Sequence, residues 1–323
     1  MKAVVYESLG AAKAVLRLAD VPRPEPGPGE VRVRLSFSGV NPTDWKSRSG
    51  ATARTVDGFQ IPHHDGAGTI DAVGPGVSPG RIGERVWVWL AAAGNRWGTA
   101  AEWTVVPSGH ATRLPDATSL ELGASLGVPA LTAHRCLFAD GDLRGRNVLV
   151  AGGAGAVGHF AIELAKYRGA SVVATVSGPE KAELARSAGA DLVVNYRSPD
   201  ALQQIREFAP RVDRVVEVNL AANLALDLAL SGAGSVIAAY AADGPDPSLP
   251  VRACMSANVV LRFVLLYGVP PQALADGADE VTAALAAGAL SPLPIHRFAL
   301  EECAEAEDAV QAGAVGKVLL AIP

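Results

Sequence analysis

Two textures of apolar and polar positions divide the chain. In its first third the textures are short and alternating: Val31-Arg32-Val33-Arg34-Leu35-Ser36-Phe37 places an apolar side chain at every second position, as a half-buried strand requires. Gly66 to Val73 and Arg85 to Leu90 continue the β reading, with Gly74-Pro75-Gly76 and Pro79-Gly80 as turns. From about residue 120 the pattern changes. Glu121 to Leu137 has helical spacing. Short apolar runs at 147–151, 171–176, 191–194, 213–217 and 234–240 then alternate with alanine-rich helical segments. That alternation predicts an α/β domain with a doubly wound parallel sheet. The pattern breaks near Asp243-Gly244-Pro245, and Val259 to Leu266 reads as a further strand at the sheet's edge. The tail reads as a helix (Asp276 to Ala287), a strand (His296 to Phe298), a helix (Glu301 to Ala312) and a strand (Lys317 to Ile322). It is expected to rejoin the first domain, giving segments 1–120, 121–265 and 266–323.

The run Val148-Leu149-Val150-Ala151 leads straight into G-x-G-x-x-G at Gly153, Gly155 and Gly158, and a helical pattern follows from His159 to Tyr167. In a chain with 34 glycines the loop alone is a weak signal. Its place between a strand, a helix and a second strand, Ser171 to Val176, is what a βαβ dinucleotide site requires. The alternative is a glycine-rich surface turn. As a phosphate site, Gly153, Ala154, Gly155, Ala156, Val157 and Gly158 present backbone N–H groups at a helix start, where the dipole favours negative charge. The second strand ends Thr175-Val176-Ser177-Gly178, without the acid that grips a ribose 2′-hydroxyl in NAD sites. Ser177 and Lys181 suit a 2′-phosphate, so NADPH is the expected cofactor; Lys181 equally suits a solvated helix start. Tyr196 and Arg197, after the next strand, could stack on or pair with the adenosine phosphate end.

Length and composition bound the rest. A chain of 323 residues suggests two domains, and 49% hydrophobic residues suffice for substantial cores. A net charge of −5 with no basic cluster argues against nucleic acid as a partner. Cys136, Cys254 and Cys303 are far apart, suggesting neither a disulfide framework nor a C-x-x-C knuckle. Met1 to Glu7 reads as a strand rather than a signal peptide, and Val259 to Val269 is too short to span a bilayer, so a cytoplasmic protein with no membrane partner is expected. All five tryptophans fall in the first domain. Trp87, Trp89 and Trp103 are expected in its core. Trp45 and Trp97, in loop-like segments, are expected near substrate.

Asn41-Pro42-Thr43-Asp44, Asp65-Gly66-Ala67-Gly68 with Val73-Gly74, Gly83-Glu84-Arg85-Val86, Val128-Pro129-Ala130-Leu131-Thr132-Ala133, the glycine loop and Gly316-Lys317-Val318 follow one another in a distinctive order. Together they resemble the medium-chain dehydrogenase/reductase superfamily, within it the zinc-free quinone oxidoreductase (zeta-crystallin-like) branch, over nearly the whole chain. The resemblance implies a GroES-like β-rich catalytic domain and a Rossmann domain, with NADPH between them. It also implies a homodimer or tetramer joined by Rossmann edge strands, here Val259 to Val269. Zinc-dependent relatives use a Cys, a His-Glu pair and a further Cys or Asp. This chain has His64-Asp65 at the pair and Asn41 near the first Cys, so no metal is expected. The adjacent His63-His64 is assigned to a cleft wall or to packing, with His64 a substrate-pocket candidate.

Without a Lewis acid, conjugated acceptors are the accessible substrates: quinones or α,β-unsaturated carbonyls, whose developing charge spreads to an oxygen. Many relatives carry a Tyr two residues after the Asp of Asn-x-x-Asp; here that place is Lys46. Lys46 is the candidate donor, positioned by Asn41 and Asp44; the alternative is that Asn41 and Asp44 fix the loop and Lys46 is a solvated charge. The resemblance implies that the helix of Thr132 passes beneath the nicotinamide, where Thr132 could contact the cofactor; the alternative is a hydroxyl bonded to its own helix backbone. Asn219 and Tyr240, at carboxyl ends of sheet strands, and Lys317 are further cofactor candidates. The expected function is NADPH-dependent reduction of quinones or other conjugated carbonyls. The alternatives are an ene or enoyl reductase with a dedicated biosynthetic substrate, and a non-catalytic NADPH-binding protein.

Overall fold

The computed structural model describes residues 1–52, 55–242 and 244–323. Asp243, where the sequence pattern breaks, and Ala53 and Arg54 in the segment after Lys46 lie outside the described residues. The described chain forms two compact units: residues 1–128, 278–286 and 294–323, and residues 129–277 with 287–293.

The strands of the first unit are β1 (Lys2–Val5), β2 (Arg17–Asp20), β3 (Glu30–Val40), β4 (Asp65–Val73), β5 (Arg85–Val88), β6 (Trp103–Pro107) and β7 (Ala111–Arg113). Helices α1 (Ala12–Val15) and α2 (Pro42–Ser49) lie among them, and α3 (Leu120–Phe138) follows. The second unit holds β8 (Asn147–Ala151), α4 (Ala156–Tyr167), β9 (Ser171–Val176), α5 (Pro179–Ser187), β10 (Leu192–Asn195) and α6 (Ala201–Phe208). It continues with β11 (Val212–Glu217), α7 (Leu220–Leu230), β12 (Ser231–Ala239), α8 (Val251–Ala257), β13 (Val260–Phe263) and the first part of α9 (Pro271–Ala286). The tail carries β14 (Ile295–Ala299), α10 (Cys303–Gln311) and β15 (Lys317–Ala321).

In the first unit the main sheet runs β14-β15-β3-β4-β5-β7, with β6 paired to β3. The tail belongs to the same sheet: β15 lies antiparallel to β3, and Val318 and Leu320 enter the same core as Val31, Val33, Leu35 and Ile70. The alternation in β3 is not a clean in-and-out pattern, because Arg32 is also buried; it donates to Asp71 (2.8 Å) and pairs with Glu25 (2.8 Å). Trp87 and Trp89 are core residues. Trp103 departs from that expectation. It is half-buried, with its indole N–H on Asp71 Oδ2 (2.8 Å) and Arg23 over its ring (5.4 Å). An indole N–H needs an acceptor, and the carboxylate lies at the surface.

The second unit's sheet is all parallel in the order β10-β9-β8-β11-β12-β13. Numbered from β8, that is 3-2-1-4-5-6, the doubly wound order whose ligand crevice opens at the carboxyl ends of the strands where the order reverses. β8 and β9 are buried at every position after their first residues, as strands covered on both faces must be.

The division falls at Val128/Pro129, inside α3, rather than before it. Val128 donates its backbone N–H to the Asp65 carboxylate (2.9 Å), which ties the first half of α3 to the first unit. Pro129 has no N–H to give. The return also comes later than residue 266: α9 joins the first unit only from Ala278, where Trp87 Nε1 donates to Thr282 Oγ1 (3.2 Å). No helix among the described residues is long and apolar enough to cross a membrane.

Candidate functional site

The glycine loop lies between β8 and α4, and its three glycines differ in what holds them. A Cβ on Gly158 would sit 2.3 Å from the Gly152 carbonyl oxygen, so no other residue fits. A Cβ on Gly153 would meet Ala174 Cβ at 2.8 Å, so this glycine lets the loop lie flat on β9. Gly155 is unlike both: it is the N-cap of α4 with φ −77°, and a Cβ there would meet only Gly152 O, at 3.4 Å. The protein itself sets no demand for glycine at 155. Gly152 and Gly153 donate to Thr175 O (3.0 and 3.1 Å), tying the loop to the end of β9. The first-turn N–H groups of α4, at Ala156, Val157 and Gly158, have no intrahelical acceptor, as at any helix start.

The expected adenosine-phosphate residues gather beside this loop. β9 and β10 pair in parallel up to Val176 and Asn195, and Tyr196 N donates to Val176 O (3.1 Å). Ser177 and Tyr196 therefore leave adjacent strand ends together. Lys181 follows in the first turn of α5, half-buried. The Arg197 guanidinium lies 5.7 Å over the half-exposed Tyr196 ring. The turn from β9 to α5, Ser177-Gly178-Pro179, carries no carboxylate.

Further along the same carboxyl edge, Asn219 caps α7, its side chain accepting from Ala222 N (3.3 Å). Tyr240 is half-buried, its N–H on Glu217 O (3.1 Å); burial, aided by Cys136 and Glu217, holds its hydroxyl above the ordinary phenol range. Thr132 is buried within α3.

Beneath this edge lies a pair that sequence reading missed. Glu217 accepts from Asn219 N and from Asn223 Nδ2 (2.9 Å), while Glu217 Oε2 and both Asp227 oxygens face no donor. A proton on Asp227 supplies one. Burial first, and then the neighbouring Glu217 carboxylate, push Asp227 up to about 9. The folded chain thus keeps a proton that the unfolded chain releases above the ordinary carboxyl value. This stabilisation is complete below about pH 4 and is lost as pH rises toward 9. Asp227→Asn, whose amide donates to Glu217 without proton uptake, is expected to raise the thermal midpoint by roughly 4–8 °C at pH 8 and hardly at all at pH 4. Calorimetry at the two pH values tests this; an equal shift at both would refute the shared proton.

In the first unit two of the expected catalytic residues, Asn41 and Asp44, lie in a buried polar network. Asn41 donates from Nδ2 to Asp65 Oδ2 (2.7 Å) and accepts at Oδ1 from Lys317 Nζ (2.6 Å). Lys317, expected at the cofactor, is instead spent here, 3.8 Å from Asp65. Burial pulls its ammonium below the usual lysine range, and Asp65 opposes the shift. Asp44 is buried at the third position of α2, where its carboxylate accepts from Asn41 N (2.7 Å), and burial pushes it up to about 7. In this structure Asn41 and Asp44 fix the start of α2. Lys46 is half-buried, with Nζ 5.7 Å over the Trp45 ring. Trp97 packs edge-on against Phe59 (5.6 Å), and His64 is buried. A zinc at the His64-Asp65 position does not fit this donor set, because Asp65 is already taken by Asn41, Lys317 and Val128 N.

A second missed feature crosses this unit. Arg48 of α2 pairs with Glu307 of α10 (2.7 Å), both buried, across 259 residues of sequence. No local signal links them: α2 is polar nearly throughout, and nothing in its sequence sets Arg48 apart from its neighbours.

Comparison with known proteins adds to this geometry. Residues 27–116 match the family model of the alcohol dehydrogenase GroES-like domain, and residues 156–283 that of zinc-binding dehydrogenase. The chain is 27% identical to the quinone oxidoreductase of Homo sapiens over 99% of this chain and 97% of that one. It is 34% identical to an alcohol dehydrogenase of Geobacillus stearothermophilus over 64% of this chain and 67% of that one. A mycobacterial protein solved as a complex with NADPH superposes with a TM-score of 0.86 at 30% identity, covering 99% of this chain and 100% of that one.

Proposed function

Because the chain belongs to the medium-chain dehydrogenase/reductase superfamily, in its quinone oxidoreductase branch, we propose that it is an NADPH-dependent, zinc-independent oxidoreductase of quinones or other conjugated carbonyls. The observation that carries this reading is Gly155. The fold tolerates a side chain there, so glycine is kept for close approach by something that is not protein. The first-turn N–H groups of α4 and its dipole then hold a pyrophosphate. Ser177 and Lys181, with no acid in the turn that ends β9, receive a 2′-phosphate, and Arg197 over Tyr196 closes the same corner. NADPH, when bound, supplies the hydride. The protein's part is to hold cofactor and acceptor in register and to offer a donor to the acceptor's oxygen.

Lys46 is the residue proposed for that donor, with Trp45 as an apolar surface for a flat acceptor. Lys46→Ala is expected to lower kcat on enones roughly 10–100-fold while leaving quinone turnover within about threefold, because a quinone needs no protein acid. Equal kinetics on both acceptors would remove Lys46 from the mechanism. The proposed assembly is a homodimer through the Rossmann edge. In β13 and the turn after it, Phe263 is 74% and Leu265 69% exposed, more apolar surface than a free edge strand keeps.

The test is steady-state oxidation of NADPH and of NADH against matched quinones and enones, with product identification. Quinone turnover with NADPH supports the reading. Saturated ketone from enones alone moves the chain to the ene reductases. Tight NADPH binding without turnover of any acceptor leaves a binding protein.

A further inference from the structure

His63, Cys303 and Glu307 converge in the first unit, with no exposure above 1% and with donor atoms all within 4.8 Å of one another. They are separate from the His64-Asp65 position considered above. Cys303 and Glu307 stand four residues apart on α10, hence on one face of it. His63 comes from the loop before β4 and has φ +74°, a backbone conformation costly for a residue with a Cβ.

The hydrogen bonds around His63 fix its tautomer. The Asp65 carbonyl can only accept, so Thr99 Oγ1 donates to it (2.6 Å). Ser38 Oγ, 2.7 Å from Thr99 Oγ1, must then donate to Thr99. The Ser38 oxygen is left to accept from Nδ1–H of His63 (3.0 Å). The other ring nitrogen, Nε2, faces Cys303 Sγ at 3.8 Å and Glu307 Oε1 at 3.5 Å. Glu307 Oε1 has no hydrogen-bond partner, while its other oxygen is held by Arg48 Nε (2.7 Å).

A proton on Nε2 accounts poorly for these spacings, since charge-assisted N–H···O bonds close to about 2.8 Å. A tetrahedral ion with N and O ligands at about 2.0–2.1 Å and S at about 2.3 Å needs N···S of about 3.5 Å and N···O of about 3.3 Å. The two separations measured from Nε2 lie within a few tenths of an ångström of those, and Sγ and Oε1 lie within 4.8 Å of each other. We propose that His63 Nε2, Cys303 Sγ and Glu307 Oε1 form a buried binding site for one divalent transition-metal ion of the zinc class. A mixed N, S and O donor set suits a borderline-soft cation. Ser38 and Arg48 are the outer groups that orient two of the ligands, as such sites require. With every ligand buried, the ion enters as the chain folds and its role is structural.

The test expresses the full chain in minimal medium with Co2+ as the added transition metal. About one Co2+ per chain is expected, with a thiolate-to-cobalt charge-transfer band. Cys303→Ala should abolish the band and weaken retention more than ~100-fold, beyond the loss typical of an outer-shell change. Cys254→Ala should leave both unchanged. Glu307→Gln, which keeps the thiolate, should keep the band but release the metal to a chelator more than ~10-fold faster. Natively folded protein without stoichiometric metal, or a band that survives Cys303→Ala, would overturn the proposal. So would an unchanged release rate in Glu307→Gln.

Discussion

Gly155→Val is expected to weaken NADPH binding by about 10³-fold, roughly 4 kcal/mol, while leaving the fold in place. The two halves of that expectation have separate causes. Folding is spared because residue 155 sits at φ −77°, where any residue is comfortable, and a Cβ makes only an ordinary contact at 3.4 Å. Binding is lost because a branched side chain at the N-cap of α4 covers the N–H groups that would receive the pyrophosphate. Gly158→Val is the contrast. Its Cβ would fall 2.3 Å from the Gly152 oxygen, so helix and strand would have to separate and folded protein should be lost. Fluorescence titration with NADPH, beside circular dichroism, distinguishes the two. An affinity for Gly155→Val within threefold of the parent chain would mean that the loop is a turn and nothing more.

This difference between glycines bears on how much of the molecule is legible in its sequence. The G-x-G-x-x-G spacing and the strand–helix alternation located the loop, because both depend on local periodicity and turn chemistry, which a sequence carries directly. The five expected central strands of the second unit fall within three residues of those observed, for the same reason. What each glycine is for depends on the atoms opposite it, and those are tertiary facts. The same limit explains Lys317. Beside Gly316 it resembled a cofactor contact, yet its ammonium is spent on Asn41 and Asp65, which lie far away in sequence. Arg48 with Glu307, Glu217 with Asp227, and His63 with Cys303 were invisible for the same physical reason. A buried polar group must find a partner, but nothing in local sequence says which one. Trp103 shows the reverse error: its size suggested core, while its N–H required a carboxylate at the edge.

Cofactor choice offers the second large effect. Ser177→Asp is expected to change the ratio of kcat/KM for NADPH over NADH by about 10³-fold in favour of NADH. Ser177 stands at the end of β9, where a carboxylate would face the ribose edge of the bound nucleotide. Aspartate there accepts two hydrogen bonds from ribose hydroxyls, which NADH offers. Against a 2′-phosphate it meets like charge and removes a hydroxyl donor. Lys181 remains one turn away and softens the repulsion, so Ser177→Asp with Lys181→Ala should shift the ratio further than either change alone. The effect on NADPH should fall mostly in KM, because the 2′-phosphate is remote from the reacting carbon and contributes equally to ground and transition states. A parent chain already indifferent to NADH, or a Ser177→Asp ratio within threefold of the parent's, would place the phosphate elsewhere on this edge. Arg197 and Tyr196, which leave the neighbouring strand end together, would then be the residues to change next.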